Sequence, residues 1–383
     1  MRILFSCIRG QGHIRPLLPF AKEMKRRGHD VKIAAPDDMR LIAEKSGIHH
    51  VETDRLSDAE LAEMWAGRQN MKGEEMLRFA VGEMFANRSA RTSIPKLRLA
   101  IEDWKPDILV RDSVEFGAFV MGELFRLPHA RVAVHNNFME AGVIQQAGGP
   151  IDDLLADFDL PPQRGAGLWR EPSFSALPAG FDGETQHGPD NPPFRINPHL
   201  GSKPSETNWT PMTDRPLVYV TFGTVSGGEM FGFREVYDVA LEAVSALDVE
   251  VLLTTGPNVD PEDFGPQPGH IQIRPFVPQD VVLQRASVVV HHGGSGTLTG
   301  AFAAGVPMVI VPLFADQPSN AEHAEAAGLG VCVAERSVEA ISAATSLALS
   351  DASFRESARV VAEEMAEMPG VEAAVDRIEA LAS

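Results

Sequence analysis

Cysteine is nearly absent: Cys7 and Cys332 are the only two, and they lie too far apart for a CxxC pair or a disulfide framework. A disulfide-stapled secreted scaffold is excluded, and a reducing, cytoplasmic setting is expected. Cys7, inside an apolar run, reads as a small buried hydrophobe. Positive charge is also scarce. Against 53 Asp and Glu stand 34 Lys and Arg, a formal net charge of −19, which repels nucleic-acid backbones and anionic lipid. Nucleic acid is not an expected partner, peripheral membrane contact stays open, and any anionic ligand must be held locally by helix N-termini and single His or Arg side chains. Long hydrophobic runs are missing as well. The weakly polar run 303–315 contains Pro307 and Pro312 and is shorter than the ~20 residues that span a bilayer. The run 3–8 is too short for the apolar core of a signal peptide. Neither a transmembrane segment nor secretion is expected.

What is present is an ordinary globular composition, 44% hydrophobic and 23% charged over 383 residues, more chain than one core usually serves. Short runs of Ile, Val and Leu, bounded by Gly or Pro, alternate with helix-length amphipathic segments, the pattern of parallel strands with crossover helices. The first half predicts strands at 2–8, 30–35, 49–53, 107–111 and 131–134. The second predicts them at 217–222, 249–255, 271–275, 287–291, 307–311 and 331–334. Between 160 and 214 the pattern lapses into Pro, Gly and polar residues. The expected architecture is therefore α/β with two Rossmann-like parallel-sheet domains, 1–200 and 215–383, joined by a linker at about 190–214. A proline-rich connection of this kind is semi-rigid and can hold two lobes facing across a cleft. The Ala/Glu-rich stretch 352–382 is helical in composition, with its last helix a candidate to return to the first domain.

Two glycine-rich turns carry the chemistry. The first, Arg9-Gly10-Gln11-Gly12-His13-Ile14-Arg15-Pro16, joins the first strand to a helix, with Pro16 expected in its first turn. It is a partial match to GxGxxG, because Arg15 stands at the third glycine position. Asp37 or Asp38, beyond the second strand, can imitate a ribose-binding acid, which keeps an NAD-dependent oxidoreductase as a minor alternative. His13 stands at the helix entrance, where a parallel sheet opens on its ligand. A helix N-terminus disfavours positive charge, which suits a general base, although a histidine that merely packs the turn fits the same spacing. Asp112, after the strand 107–111, emerges at the same sheet edge. It can orient His13, or it can cap the helix that begins near Glu115.

The second turn is His292-Gly293-Gly294-Ser295-Gly296-Thr297, between a strand and a helix running to about Ala304. Three glycines and a helix start expose N–H groups to an anion. No Gly-Lys-Ser/Thr follows, so it is not a Walker loop. His291 and His292 point to opposite faces and cannot share a metal, and no metal site is expected. His292 can donate a charge-assisted hydrogen bond to phosphate. Thr224 ends the sequence Thr221-Phe222-Gly223-Thr224 beyond another strand, and Asp316-Gln317 offers a carboxylate and an amide to a polyol, unless these are ordinary solvated loop residues.

Gly12-His13-Ile14-Arg15-Pro16, Phe276-Val277-Pro278-Gln279, the 292–297 turn and Asp316-Gln317-Pro318-Ser319-Asn320-Ala321 together resemble the inverting GT-B glycosyltransferases of the UDP-glycosyltransferase superfamily. The bacterial natural-product branch is closest in character, and the likeness covers nearly the whole chain. The resemblance implies a GT-B fold with an N-terminal acceptor domain and a C-terminal donor domain. It makes His13 the base and Asp112 its partner. It assigns Phe276 and the Val277 backbone to the nucleotide base; His292, Gly294, Ser295, Gly296 and Thr297 to the diphosphate; Asp316 and Gln317 to sugar hydroxyls; and Thr224 to phosphate or acceptor. Plant relatives carry Trp where Phe276 stands, so their base and sugar preferences do not transfer.

The implied partners are a UDP- or dTDP-sugar and a small hydrophobic acceptor, in a monomer or homodimer that needs no cofactor or metal. The acceptor is expected in the first domain against helices within 56–99, where Trp65, Phe79, Met84 and Phe85 either line an apolar pocket or form core. A sugar-nucleotide epimerase, a cell-wall glycosyltransferase or a nucleotide-binding module without catalysis are the alternatives.

Overall fold

The computed structural model describes residues 1–68, 71, 73–183, 192–201, 205–223 and 233–382. Two compact units emerge. The first comprises Met1–Ala176, Glu184–Pro198 and Pro369–Ser383, and the second Leu177–Gly183 and His199–Met368.

The first unit is built on β1 (Arg2–Ser6), β2 (Asp30–Pro36), β3 (His49–Thr53), β4 (Ile108–Asp112), β5 (His129–Val132), β6 (Ser173–Ser175) and β7 (Phe194–Arg195), in the order β3-β2-β1-β4-β5-β6-β7, all parallel. β6 and β7 are additions to the expected set. They lie inside the Pro- and Gly-rich region, are too short to show periodicity, and become strands by pairing beside β5. Helix α1 (Gln11–Arg26) buries Ile14, Leu17, Leu18, Ala21 and Met24, the i, i+3, i+4, i+7 spacing of one apolar stripe. Pro16 lies past the first turn that the sequence suggested for it, because the helix begins at Gln11. Further along come α2 (Ala90–Trp104), α3 (Phe116–Phe125) and α4 (Asn137–Ala156). α1 covers one face of the sheet over Ile3, Phe5, Ile108 and Val110, while α2, α3 and α4 cover the other over Leu4 and Leu109.

The helical stretch near the C-terminus is two helices, Ala352–Glu367 and Val371–Leu381, broken at Pro369-Gly370. The second packs on α1. Arg27 donates to Asp376 at 2.6 Å, to Glu379 at 2.9 Å and to the Glu372 carbonyl at 2.9 Å. Val371, Ala374, Val375 and Ile378 join the first unit's core.

The second unit holds β8 (Leu217–Thr221), β9 (Glu250–Thr254), β10 (Ile271–Arg274), β11 (Ala286–His291), β12 (Met308–Ile310) and β13 (Gly330–Cys332), again all parallel, ordered β10-β9-β8-β11-β12-β13. β8 and β9 are buried along their whole length, as expected of strands covered on both faces. Leu177–Gly183 belongs here because Phe181 packs on Phe302 at 4.8 Å and Glu364 accepts from the Ala179 and Gly180 N–H groups at 2.6 and 2.9 Å. Helices α5 (Ser295–Ala304) and α6 (Gln317–Ala326) follow β11 and β12. No helix among the described residues is long and apolar enough to cross a membrane.

In each sheet the strand order reverses between two neighbours, β1 and β4 in one and β8 and β11 in the other. Beyond the carboxyl ends of such strands the loops diverge, and open α/β sheets bind ligands there.

Candidate active site

In the first unit, β1 delivers His13 and β4 delivers Asp112 to the reversal point. Gly10, at φ 125, caps α1 in a backbone conformation that other residues resist, and His13 sits in the first turn of the helix. Its Nδ1 lies 3.5 Å from Oδ2 of Asp112. Nδ1 makes no hydrogen bond at that separation, and catalytic contacts in ligand-free sites are often this long. The ring is about one-fifth exposed and the carboxylate fully buried.

Asp112 accepts from Ile8 N–H at 2.9 Å through Oδ2, and from Val114 and Glu115 N–H at 2.8 and 3.0 Å through Oδ1. Burial raises its pKa, but His13 and these backbone donors outweigh burial and hold it below the usual carboxylate value. It is thus a buried anion facing an imidazole. The capping alternative does not hold. Glu115 caps α3 by accepting from Ala118 N–H at 2.7 Å, which leaves Asp112 to the turn before the helix.

In the second unit, α5 is capped by Gly294, which makes no side-chain cap hydrogen bond. The His292 ring is packed between backbones: a Cβ built on Gly294 would lie 2.5 Å from its Nε2, and one on Gly223 would lie 3.0 Å from its Cε1. A side chain at either position would therefore press on the ring. Burial pushes the His292 pKa down to about 4, against a hydrogen bond to the Thr221 backbone that pulls it up. The ring is neutral near pH 7, so the charge in any hydrogen bond to phosphate must come from the phosphate. Nδ1 is buried and has no partner among the described residues. His291, wholly buried, accepts from Gly293 N–H at 3.1 Å and shapes the turn.

The β12 loop meets this turn. Asn320, fully buried, donates to the Gly293 carbonyl at 2.9 Å and to Asp316 Oδ2 at 2.8 Å. Ser295 Oγ lies 3.4 Å from the same oxygen. Gln317 is buried, and its carbonyl accepts from Leu313 and Phe314 N–H at 2.9 and 3.1 Å. That oxygen holds the loop and is not available to a sugar, which leaves Gln317 its amide donors. Thr297 is buried in the first turn of α5, and Gly296 is exposed. The sequence motif included Asn320 but did not show its role, because the bond from α6 back to Gly293 is a tertiary contact.

Phe276 and Val277 follow β10, separated from β11 in the sheet by β9 and β8. Phe276 is 70% exposed and Val277 is buried. An aromatic ring left this bare on the ligand edge of a sheet suits stacking on a planar base. Thr224 lies outside the described residues.

Residues 238–381 match the erythromycin biosynthesis protein CIII-like C-terminal domain. The NDP-glycosyltransferase YjiC of Bacillus subtilis (strain 168) is 24% identical over 96% of this chain and 94% of its own length. The 4'-demethylrebeccamycin synthase of Lentzea aerocolonigenes is 26% identical over 99% of both. Among solved structures, the spinosyn rhamnosyltransferase SpnG complexed with thymidine diphosphate superposes with a TM-score of 0.82 at 21% identity, covering 99% of this chain and all of that one. This chain is a GT-B glycosyltransferase.

Other parts of the glycosyltransferase bear on the remaining expectations. Asp38 pairs with Arg9 at 2.9 Å and Arg55 at 3.4 Å, and Asp37 with Arg40 at 2.6 Å. Both carboxylates are engaged with arginines, which weakens the ribose-acid reading. Phe79 and Met84 are buried with Leu56 and Met64 in a small satellite cluster, against which Trp65 and Phe85 pack partly exposed. Trp65 and Phe79 meet edge to face at 5.2 Å. Phe79 and Met84 are thus core to this cluster, while Phe85 and Trp65 form its accessible side. The cluster's helical wall, Arg78–Ser89, is π-helical, a wider winding that recurs at functional sites.

Proposed function

We propose that this glycosyltransferase moves a sugar from a dTDP- or UDP-sugar to a hydroxyl of a small hydrophobic natural product, with inversion at the anomeric carbon. The observation that carries the reading is the N-terminus of α5, where Gly294 makes no side-chain cap and the first N–H groups form an arrangement of donors without a side-chain acceptor at the cap. A diphosphate supplies that acceptor. The thymidine diphosphate complex of the spinosyn rhamnosyltransferase supports a thymidine donor.

In this reading Nε2 of His13 takes the proton of the acceptor hydroxyl as its oxygen attacks the anomeric carbon and the bond to the diphosphate breaks. Asp112, facing Nδ1, stabilises the imidazolium that forms. The departing diphosphate carries the negative charge, and the α5 N-terminus and His292 meet it. Phe276 stacks on the base, and Asp316 accepts from sugar hydroxyls. The half-buried side of the satellite cluster, Phe85 and Trp65, offers apolar surface to the acceptor.

A thermal-shift panel of dTDP, UDP, GDP and NAD tests the donor class. A ligand at 100 times its Kd adds about 2.7 kcal/mol, so dTDP or UDP is expected to raise the Tm and NAD to leave it unchanged. Stabilisation by NAD alone would overturn the reading.

A further inference from the structure

The Asp112 turn is held by a device that the proposed reaction leaves unused. Alternation along β4 puts Ile108, Val110 and Asp112 on the α1 face, and Leu109 and Arg111 on the face of α2, α3 and α4. Arg111 is therefore directed away from His13 into the core, where it is 1% exposed. Its guanidinium is fully employed there. Nε donates to Glu171 Oε1 at 3.0 Å and Nη2 to Glu171 Oε2. Nη1 donates to the carbonyls of Asp112 at 3.1 Å, Ser113 at 3.0 Å and Glu115 at 3.5 Å. Glu171 is wholly buried and also meets His129 Nδ1 at 2.8 Å. The Phe116 and Phe119 rings lie 5.5 and 5.6 Å from the guanidinium.

A buried ion pair is seldom the most stable way to fill a core, so what it arranges matters more than what it contributes to stability. Here the guanidinium draws the carbonyls of the 112–115 turn to one side. The N–H groups of Val114 and Glu115 then converge on the other side, on the Asp112 carboxylate. We infer that Arg111, anchored by Glu171, is a positioning residue that sets the Asp112 carboxylate against His13. The inference rests on the His13–Asp112 pairing of the proposed function.

The test reads the His13 ring directly and needs no acceptor. In the full-length protein with 15N-labelled histidine, ring nitrogen shifts report which nitrogen carries the proton, and His13→Gln identifies the signal. The measurement is made at about pH 8, where an ordinary imidazole is neutral. Asp112, Glu115 and Asp38 act on the neighbouring Cys7 thiol, Arg9 pairs with Asp38, and Cys7, Arg9, Asp38 and Glu115 are left unaltered in the variants. The wild type is expected as the Nδ1–H tautomer, held by the carboxylate. Asp112→Asn is expected to lose that preference. Arg111→Met and Glu171→Gln are each expected to lose it as well, and Arg111→Met combined with Asp112→Asn to go no further than Asp112→Asn alone. Retention of the Nδ1–H tautomer in either single core variant, with a cooperative melt, overturns the inference. If Arg111→Met fails to fold, Glu171→Gln decides. An unchanged tautomer in Asp112→Asn removes the pairing itself, whereas undiminished turnover in His13→Ala removes the catalytic reading and leaves the tautomer result standing.

Discussion

His13 and His292 occupy equivalent places in two similar sheets. Each follows a strand next to the reversal in strand order, and each stands in a glycine-rich turn that opens a helix. Their surroundings differ. His13 faces a buried carboxylate at 3.5 Å, whereas His292 is enclosed by the backbones of Gly223 and Gly294 and has a pKa near 4 from burial. The same local motif thus yields a ring that faces an anion and a ring that burial keeps neutral. What separates them is the neighbour each sheet brings: an aspartate from β4 in one case, glycine backbone in the other.

The comparison breaks most sharply on His13. His13→Ala is expected to lower kcat by roughly 10²–10⁴ while the thermal shift with dTDP or UDP stays at the wild-type value. Equal turnover would show that the two turns do not divide the work in this way.

Next in size is the response to pH. Burial lowers the pKa of His129, but hydrogen bonds from its ring to the Glu123 and Glu171 carboxylates outweigh it and raise it to about 9 from 6.5. Because the folded value lies above the unfolded one, its stabilisation is complete below pH 6.5 and is lost as pH rises through about 9. The gap corresponds to about 3 kcal/mol. Urea unfolding is expected to show a steeper alkaline decline in the wild type than in His129→Asn, and parallel declines would refute the assignment. His292 acts in the opposite sense. Its folded value lies below the unfolded one, so it destabilises progressively as pH falls from 6.5 towards about 4, and His292→Asn is expected to remove that acid sensitivity.

Gly294→Ala places a Cβ on the His292 ring and is expected to displace it. Losing a hydrogen bond to a charged group costs about 1.5–3 kcal/mol, so nucleotide Kd should rise roughly 10- to 100-fold, with the Asp112 turn unaffected. Titration calorimetry with dTDP checks this, and an unchanged Kd would exclude His292 from the phosphate site. Smallest in its effect on the fold is Phe276→Ala. The ring is exposed, so Tm should not move, while loss of stacking on the base is expected to weaken nucleotide binding by about 1–3 kcal/mol.

The parallel strands were legible where burial on both faces demands continuous apolar runs, as in Leu217–Thr221. Ser173–Ser175 and Phe194–Arg195 were not, because they owe their conformation to neighbouring strands and not to their own pattern. The site divides in the same way. Both glycine turns could be read from spacing, since glycine marks backbone that must turn tightly or approach closely. The choice between Asp112 as cap and Asp112 as partner could not, because it depended on Glu115 taking the cap. Nor could the engagement of Gln317 with its own loop, or the bond from Asn320 to Gly293.

By itself, then, the sequence determined two parallel α/β sheets, the glycine-rich turn that follows a strand in each, and which side chains stand in those turns, because apolar runs and glycines act through local geometry. Only the tertiary structure decided what those side chains face. The charge state of His292, the anion opposite His13, and the buried Arg111–Glu171 pair behind it all depend on contacts between residues far apart in the chain, and electrostatics in a buried site is set by such contacts.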